Sequence, residues 1–311
     1  MSGAPRTDTT RVRRCVLIAN PHGGLRRGSS VLEAACRRLE DAGVRVSVSL
    51  TQHRGHAHEL AQTLDLTSCD ALGIIGGDGT VHEVVNGLLT QTDEVTVPLA
   101  LIPAGTGNTL HHEIGCHNAE IAVQFLLDGR TRCLDVATVV MQDRVVNCVN
   151  IIGFGVVTEI NRTAEKLRWL GPLRYTLAAA VHLLAPRARR VRLTADSTTT
   201  ECDVFFVMAC NTQSTGAGML LAPEASVSDG RFDLIVLKKT SRWELLQMFK
   251  RVFRGTHLSL PSVTCQKVRS FALAWDGTEA LNLDGEMSSG TPFQTQVQSG
   301  VLRVFCDKDA S

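Results

Sequence analysis

No lysine follows a glycine anywhere in this chain, so the Gly-x-x-x-x-Gly-Lys phosphate loop is absent. Gly-x-Gly-x-x-Gly is missing too, and with it the usual dinucleotide fingerprint. Charge of one sign is not in excess. The formal net charge is +1, which excludes the basic field expected of a nucleic-acid binder. The ten cysteines include no Cys-x-x-Cys pair, which points to free, mostly buried thiols in a reducing compartment. No apolar run reaches transmembrane length; the longest, Leu177 to Pro186, is interrupted by His182. The polar residues 1–14 lead into Cys15–Ala19, a run too short for a signal-peptide core. A cytoplasmic protein is expected, with peripheral contact at a membrane surface. No internal repeat or low-complexity segment is present.

What is there suffices for a core. Of 311 residues, 44% are hydrophobic, enough for one large or two ordinary domains. Short apolar runs at Cys15–Asn20, Val44–Leu50, Ala71–Gly76 and Pro98–Pro103 predict strands. Helical patterns at Gly28–Ala42, Gly55–Leu64, Thr80–Gln91 and Asn118–Leu127 alternate with them. That order predicts a parallel sheet with flanking helices. From about residue 132 the pattern becomes β-rich. Cys133–Val140, Val145–Ile152, Val191–Thr194, Asp203–Cys210, Phe232–Leu237, Val268–Leu273 and Val301–Cys306 predict a largely antiparallel second domain. Helical insertions are expected over Thr158–Arg187, divided by Pro172, and over Ser241–Arg254. The expected domains are 12–131 and 132–311.

Three of the first strands run into glycine-rich loops: Asn20-Pro21-His22-Gly23-Gly24, Gly76-Gly77-Asp78-Gly79-Thr80, and Pro103 through Gly105-Thr106-Gly107-Asn108. In an open α/β sheet such loops gather at the carboxyl edge, where ligands bind. Glycine lets the backbone approach a ligand closely, and amides at a helix start suit phosphate. Val81, Val84, Val85, Leu88 and Leu89 form the buried stripe of the helix that follows. Thr80 and Glu83 stand at capping-box spacing, and Thr106 reads as an N-cap or a phosphate ligand. Asp78, amid glycines, is suited to hold a metal or accept a proton.

Gly-Gly-Asp-Gly-Thr followed by His82-Glu83-Val84-Val85-Asn86-Gly87-Leu88 resembles the lipid-kinase family of diacylglycerol, sphingosine and ceramide kinases. The resemblance continues through Gly218-Met219-Leu220-Leu221-Ala222-Pro223-Glu224-Ala225 after Ala217, Ser228-Asp229-Gly230-Arg231-Phe232-Asp233, Arg254-Gly255-Thr256-His257 and Leu283-Asp284-Gly285-Glu286. It implies an α/β first domain of NAD-kinase and diacylglycerol-kinase type. The substrates implied are ATP with Mg²⁺ and a membrane-resident lipid alcohol. The nucleotide contacts implied are Asn20, Pro21, Gly23, Gly24, Thr51, Gly76, Gly77, Gly79, Thr80, Glu83, Gly105, Thr106 and Asn108. The catalytic residues implied are Asp78, Glu286 and Asp284, with either Asp78 or Glu286 as base. Asp284-Gly285 also reads as a tight hairpin turn. Metal is expected at Asp78, and at a structural Mg²⁺ loop formed by Ser226, Asp229 and Arg231.

The acceptor stays open. Sphingosine kinases recognise the sphingoid amine with an aspartate shortly after a Gly-Phe. Here Gly155, Val156 and Val157 follow Gly153-Phe154, and the nearest acid is Glu159. Glu165-Lys166-Leu167-Arg168-Trp169-Leu170-Gly171 is similar to ceramide and sphingosine kinases, whereas Thr106-Gly107-Asn108 is similar to bacterial diacylglycerol-kinase-like proteins. An NAD-kinase-like phosphotransferase and a non-catalytic lipid-binding regulator are the alternatives. Leu177–Pro186, with Trp169, Tyr175, Arg187, Arg189, Arg190 and Arg192 nearby, reads as a membrane-docking segment or a core helix followed by solvated arginines. His53-x-x-His56-x-His58 and His111-His112-Glu113 read as solvated faces rather than metal clusters.

Overall fold

The computed structural model describes residues 8–92, 94–167, 170, 173–184, 186–215 and 218–307. Of the residues quoted above, Arg168, Trp169, Gly171, Pro172, Ala217 and the side chains of Glu165, Leu173 and Tyr175 lie outside this description. The chain forms two compact units. The first runs to Val136 and takes back the chain from Ser299; the second is Ala137–Gln298.

The first unit begins with β1 (Asp8–Thr9), β2 (Arg14–Ala19), α1 (Gly23–Arg26), α2 (Gly28–Asp41) and β3 (Arg45–Leu50). It continues with α3 (His56–Gln62), β4 (Ala71–Gly76), α4 (Asp78–Gln91), β5 (Leu99–Pro103), α5 (Thr109–Glu113), α6 (Ala119–Asp128) and β6 (Arg130–Val140). Strands β5, β4, β2 and β3 lie side by side in that order, all parallel. β4 and β5 are wholly buried, as apolar strands covered on both faces should be. Val81, Val84, Val85 and Leu88 of α4 are completely buried, so the predicted stripe does face the sheet. β1 pairs antiparallel with the start of β6.

The second unit holds β7 (Val145–Cys148), β8 (Ile151–Gly155), α7 (Val156–Lys166), α8 (Leu173–Leu184), β9 (Arg189–Ala195), β10 (Thr198–Cys210), β11 (Phe232–Lys238) and α9 (Arg242–Val252). β12 (Val263–Val268), β13 (Ser270–Trp275), β14 (Glu279–Leu283), β15 (Glu286–Gly290) and β16 (Phe293–Phe305) follow. Its registered pairs are antiparallel. One core gathers Phe154, Phe232, Phe271, Trp275 and Phe293; another joins Phe205, Phe206 and Met208 to Leu245, Met248 and Val252 of α9. The end of β16 belongs to the first unit, where Val304 pairs parallel with Leu99. A linear division at residue 131 does not anticipate that return.

Two predicted strands are each cut in two. Val145–Ile152 breaks after Cys148 because the Asp284 carboxylate takes the N–H groups of Val149, Asn150 and Ile151. Val268–Leu273 straddles a turn at Arg269. There Asp196 accepts from the N–H groups of Arg269 and Ser270, both at 3.0 Å. In each case a distant carboxylate diverts backbone donors that would otherwise extend a ladder.

Candidate active site

β4 lies between β2 and β5, so its loop is flanked by the loops that leave those two strands. The loops are knitted together. Ala104 N–H donates to the Gly76 carbonyl at 2.8 Å, and Asn20 N–H donates to the Ile75 carbonyl at 2.9 Å. The Asn20 side chain accepts from His22 N–H at 3.0 Å and donates to the Thr80 hydroxyl at 3.5 Å. Asn108 receives the Gly105 N–H at 3.1 Å and donates to the Gly105 carbonyl at 3.0 Å.

Glycine is demanded here by the loops themselves. A β-carbon on Gly24 would stand 2.1 Å from the Ala104 carbonyl oxygen, and one on Gly105 would stand 2.4 Å from the Gly77 α-carbon. Gly24 also has φ +52°, where side chains are disfavoured.

Asp78 is the first residue of α4, whose N-cap is Gly77. Its two carboxylate oxygens accept from the N–H groups of Thr109 and Leu110, at 3.0 and 3.3 Å, and so pin the start of α5. A carboxylate has about four acceptor positions, so this anchoring is compatible with a cation or proton as well.

The capping-box expectation is corrected. Thr80 lies inside α4, buried, with its hydroxyl toward Asn20. Glu83 accepts from Gly55 and Ala57 N–H at 2.9 and 3.2 Å and caps the neighbouring α3 instead. Thr106 is not an N-cap either; Asn108 holds that place, with φ 53°. Thr106 and Gly107 are exposed. Thr51 is buried, its N–H on the Ala19 carbonyl at 2.9 Å. Pro21 and Gly79 are partly buried within their loops. The solvated reading of His111 is also corrected. It is fully buried in α5, and desolvation, then the neighbouring His112, push its pKa down to about 3.

In the second unit, Asp284 and Gly285 form the two-residue turn joining β14 to β15, with φ 56° and 96°. Asp284 is 4% exposed, and its carboxylate receives three N–H groups at 2.7 to 3.0 Å. That makes it an anchor for residues 149–151. Glu286, paired with Leu283 at the start of β15, is partly buried.

The loop of Ser226, Asp229 and Arg231 contains a cation of its own. Lys267 Nζ lies 2.6 Å from Asp229 Oδ2, 3.0 Å from the Glu224 carbonyl oxygen and 3.4 Å from Asp233 Oδ2. Asp229 also accepts from Arg231 N–H at 3.0 Å. Desolvation lowers the Lys267 pKa, but the two carboxylates outweigh it and hold the ammonium above its usual range. Hard oxygens suit Mg²⁺, yet with the ammonium in place the loop does not fit a metal. Lys267 is 38 residues from Asp229, and no local pattern announces the pairing.

A second unannounced pairing involves Glu159. Arg189, with its side chain 9% exposed, binds Glu159 at 2.5 Å and Glu279 at 3.0 Å. Arg190 and Arg192 pair with Glu201 at 3.6 and 2.8 Å. Arg189, Arg190 and Arg192, read from sequence either as membrane-docking or as solvated, are thereby held by carboxylates. His53, His56 and Glu59 do lie close together. His56 Nδ1, however, accepts from Gln52 N–H at 3.0 Å, which ties that ring nitrogen to the backbone.

Residues 14–139 match the diacylglycerol kinase catalytic domain, and residues 150–306 match the YegS C-terminal NAD kinase beta sandwich-like domain. A diacylglycerol kinase of Bacillus subtilis is 30% identical, over 90% of this chain and 92% of its own. Sphingosine kinase 1 of Arabidopsis thaliana is 27% identical over 85% of this chain, which spans only 64% of that relative's length. The crystal structure of a candidate diacylglycerol kinase from Bacillus anthracis superposes with a TM-score of 0.82. It is 26% identical and covers 97% of this chain and 100% of its own. With both halves matched in order, and with the glycine loops and Asp78 arranged as described, the chain belongs to the diacylglycerol-kinase family of lipid kinases.

Proposed function

We propose that the chain transfers the γ-phosphoryl group of ATP to the hydroxyl of a neutral lipid of the diacylglycerol type. The observation that carries the reading is the set of three interlocked glycine loops at adjacent parallel strand ends, with Asp78 on the central one. Phosphoryl transfer needs little covalent chemistry from a protein; it needs positioning and charge stabilisation. Gly24, Gly77 and Gly79 are proposed to serve the nucleotide through backbone amides and Thr106 through its exposed hydroxyl, while Asn20, Pro21, Gly23, Thr51, Gly76, Gly105 and Asn108 shape the loops around it. Thr80 and Glu83 serve it indirectly, by holding the loop and α3. Mg²⁺, when bound with ATP, would shield phosphate charge, and Asp78 is the carboxylate suited to hold it. Glu286 is the proposed general base, and Asp284 is its positioning residue through the turn they share.

The choice of a neutral acceptor rests on Glu159. It is the acid nearest the position where sphingosine kinases read an amine, and it is bound to Arg189. A sphingoid ammonium would have to compete with a buried guanidinium for it. The test is transfer of radiolabelled phosphate from ATP to diacylglycerol, monoacylglycerol, sphingosine, ceramide and NAD in parallel. Label in diacylglycerol well above sphingosine is the expected result. Equal or greater labelling of sphingosine overturns the acceptor assignment, and labelling of NAD alone replaces the lipid reading.

A further inference from the structure

Helix α9 carries two apolar faces, and the core uses one of them. Leu245, Met248 and Val252 are buried in the core of the second unit. At 100° per residue, Trp243, Leu246, Lys250 and Phe253 fall within one arc of about 80° on the other side. Trp243 is 69% exposed, Leu246 46% and Phe253 41%. Arg242, Lys250 and Arg254 are exposed beside them. Residues 238–259 contain six Lys or Arg and a single acid, Glu244. That acid is partly exposed and accepts from the Thr240 hydroxyl and from Ser262 N–H. Helix α8 lies against α9 and exposes Leu177 and Val181.

We propose that the outer face of α9 docks on an anionic lipid bilayer. Apolar side chains in the middle of a short helix, with cations along its flank, match an interfacial helix: the rings enter the acyl boundary and the long basic stems reach back to phosphates. An exposed tryptophan suits that boundary, since its indole is apolar with one polar edge. The charge argues for this occupant over a second copy of the chain. A two-fold contact would set α9 against its own image and bring like charges together. The face differs from the docking segment that the sequence offered as one of two readings, where Arg189, Arg190 and Arg192 are held by Glu159, Glu279 and Glu201. The proposal deepens the lipid-substrate reading, yet its primary readout, vesicle binding, needs no ATP.

The full chain and two variants are sedimented with phosphatidylcholine vesicles, and with vesicles in which 30% of the lipid is phosphatidylglycerol. One variant is Trp243→Ala with Phe253→Ala. The other is Arg242→Gln with Lys250→Gln and Arg254→Gln. All five side chains are exposed, and melting curves check that folding is unchanged. The wild type should bind the anionic vesicles with strong salt dependence, and each variant should lose about tenfold or more in affinity. Phosphorylation of a short-chain, water-soluble diacylglycerol should be equal in all three. Three results overturn the proposal: no binding by the wild type, equal binding by wild type and variants, or a change confined to oligomeric state. Normal vesicle binding with no kinase activity on any lipid would leave this surface standing and remove the kinase reading.

Discussion

Asp78 and Asp284 are two aspartates beside glycine that meet different fates. Both accept backbone N–H groups: Asp78 takes two from the start of α5, and Asp284 takes three from residues 149–151. Asp284 is sealed at 4% exposure inside the second unit. Asp78 is only partly buried, at a helix N-terminus among three glycine loops. Exposure separates them: Asp78 is open to a ligand, whereas Asp284 is closed off and holds residues 149–151.

Substitution should break the pair apart. Asp78→Asn keeps size and removes charge, so turnover should fall by about 10²–10⁴-fold. Its melting temperature should fall only modestly, since one of the two N–H groups at the start of α5 loses its acceptor, and near-normal turnover would end its assignment. Glu286→Gln should lower the chemical step over the same range of about 10²–10⁴-fold, with the Michaelis constant for ATP unchanged. If only the melting curve moves, Glu286 is a hairpin residue and no more. Asp284→Asn should act first on stability, with turnover falling only through the displaced turn. It puts an amide where three donors converge, and stability should drop by about 2–4 kcal/mol in urea unfolding. A variant as stable as the wild type would show that the three bonds are dispensable.

A finer contrast uses pH. The folded state holds His111 neutral, with a pKa near 3, whereas the unfolded chain takes up a proton below about 6.5. A depressed histidine pKa contributes stability that is full above pH 6.5 and lost as pH falls toward 3. The slope should be up to about 1.4 kcal/mol per pH unit. Urea unfolding of the wild type and His111→Leu between pH 7 and pH 5 measures it, and the variant should show a shallower decline. Parallel declines would mean that other groups account for acid sensitivity.

The smallest effect concerns the loop at Asp229. Lys267→Met leaves Asp229 and Asp233 without their ammonium, at a cost of about 1 kcal/mol. Mg²⁺ should raise the melting temperature of this variant and not that of the wild type. A wild-type rise abolished by Asp229→Asn would show instead that the loop takes metal with Lys267 present.

Much of this architecture was legible in the residues. The four parallel strands, the α4 stripe and the three glycine loops follow from period and composition, because each is a local pattern of apolar side chains punctuated by glycine. Glu83 shows where local reasoning stops. Spacing pairs it with Thr80, but its carboxylate caps α3, whose first turn lies nearer in space. The cuts in Val145–Ile152 and Val268–Leu273 likewise come from Asp284 and Asp196, remote in the chain.

By itself, then, the amino-acid order determined most of the strands and helices, where the glycine-rich loops fall and which family the chain resembles. Only the tertiary structure decided which charges are committed. It placed Lys267 on Asp229, Arg189 on Glu159, and a second apolar face of α9 on the surface. The reason is physical. Backbone preference and amphipathic period act over a few residues. A carboxylate or ammonium reaches only a few ångströms, and its partner is chosen when distant strands come together.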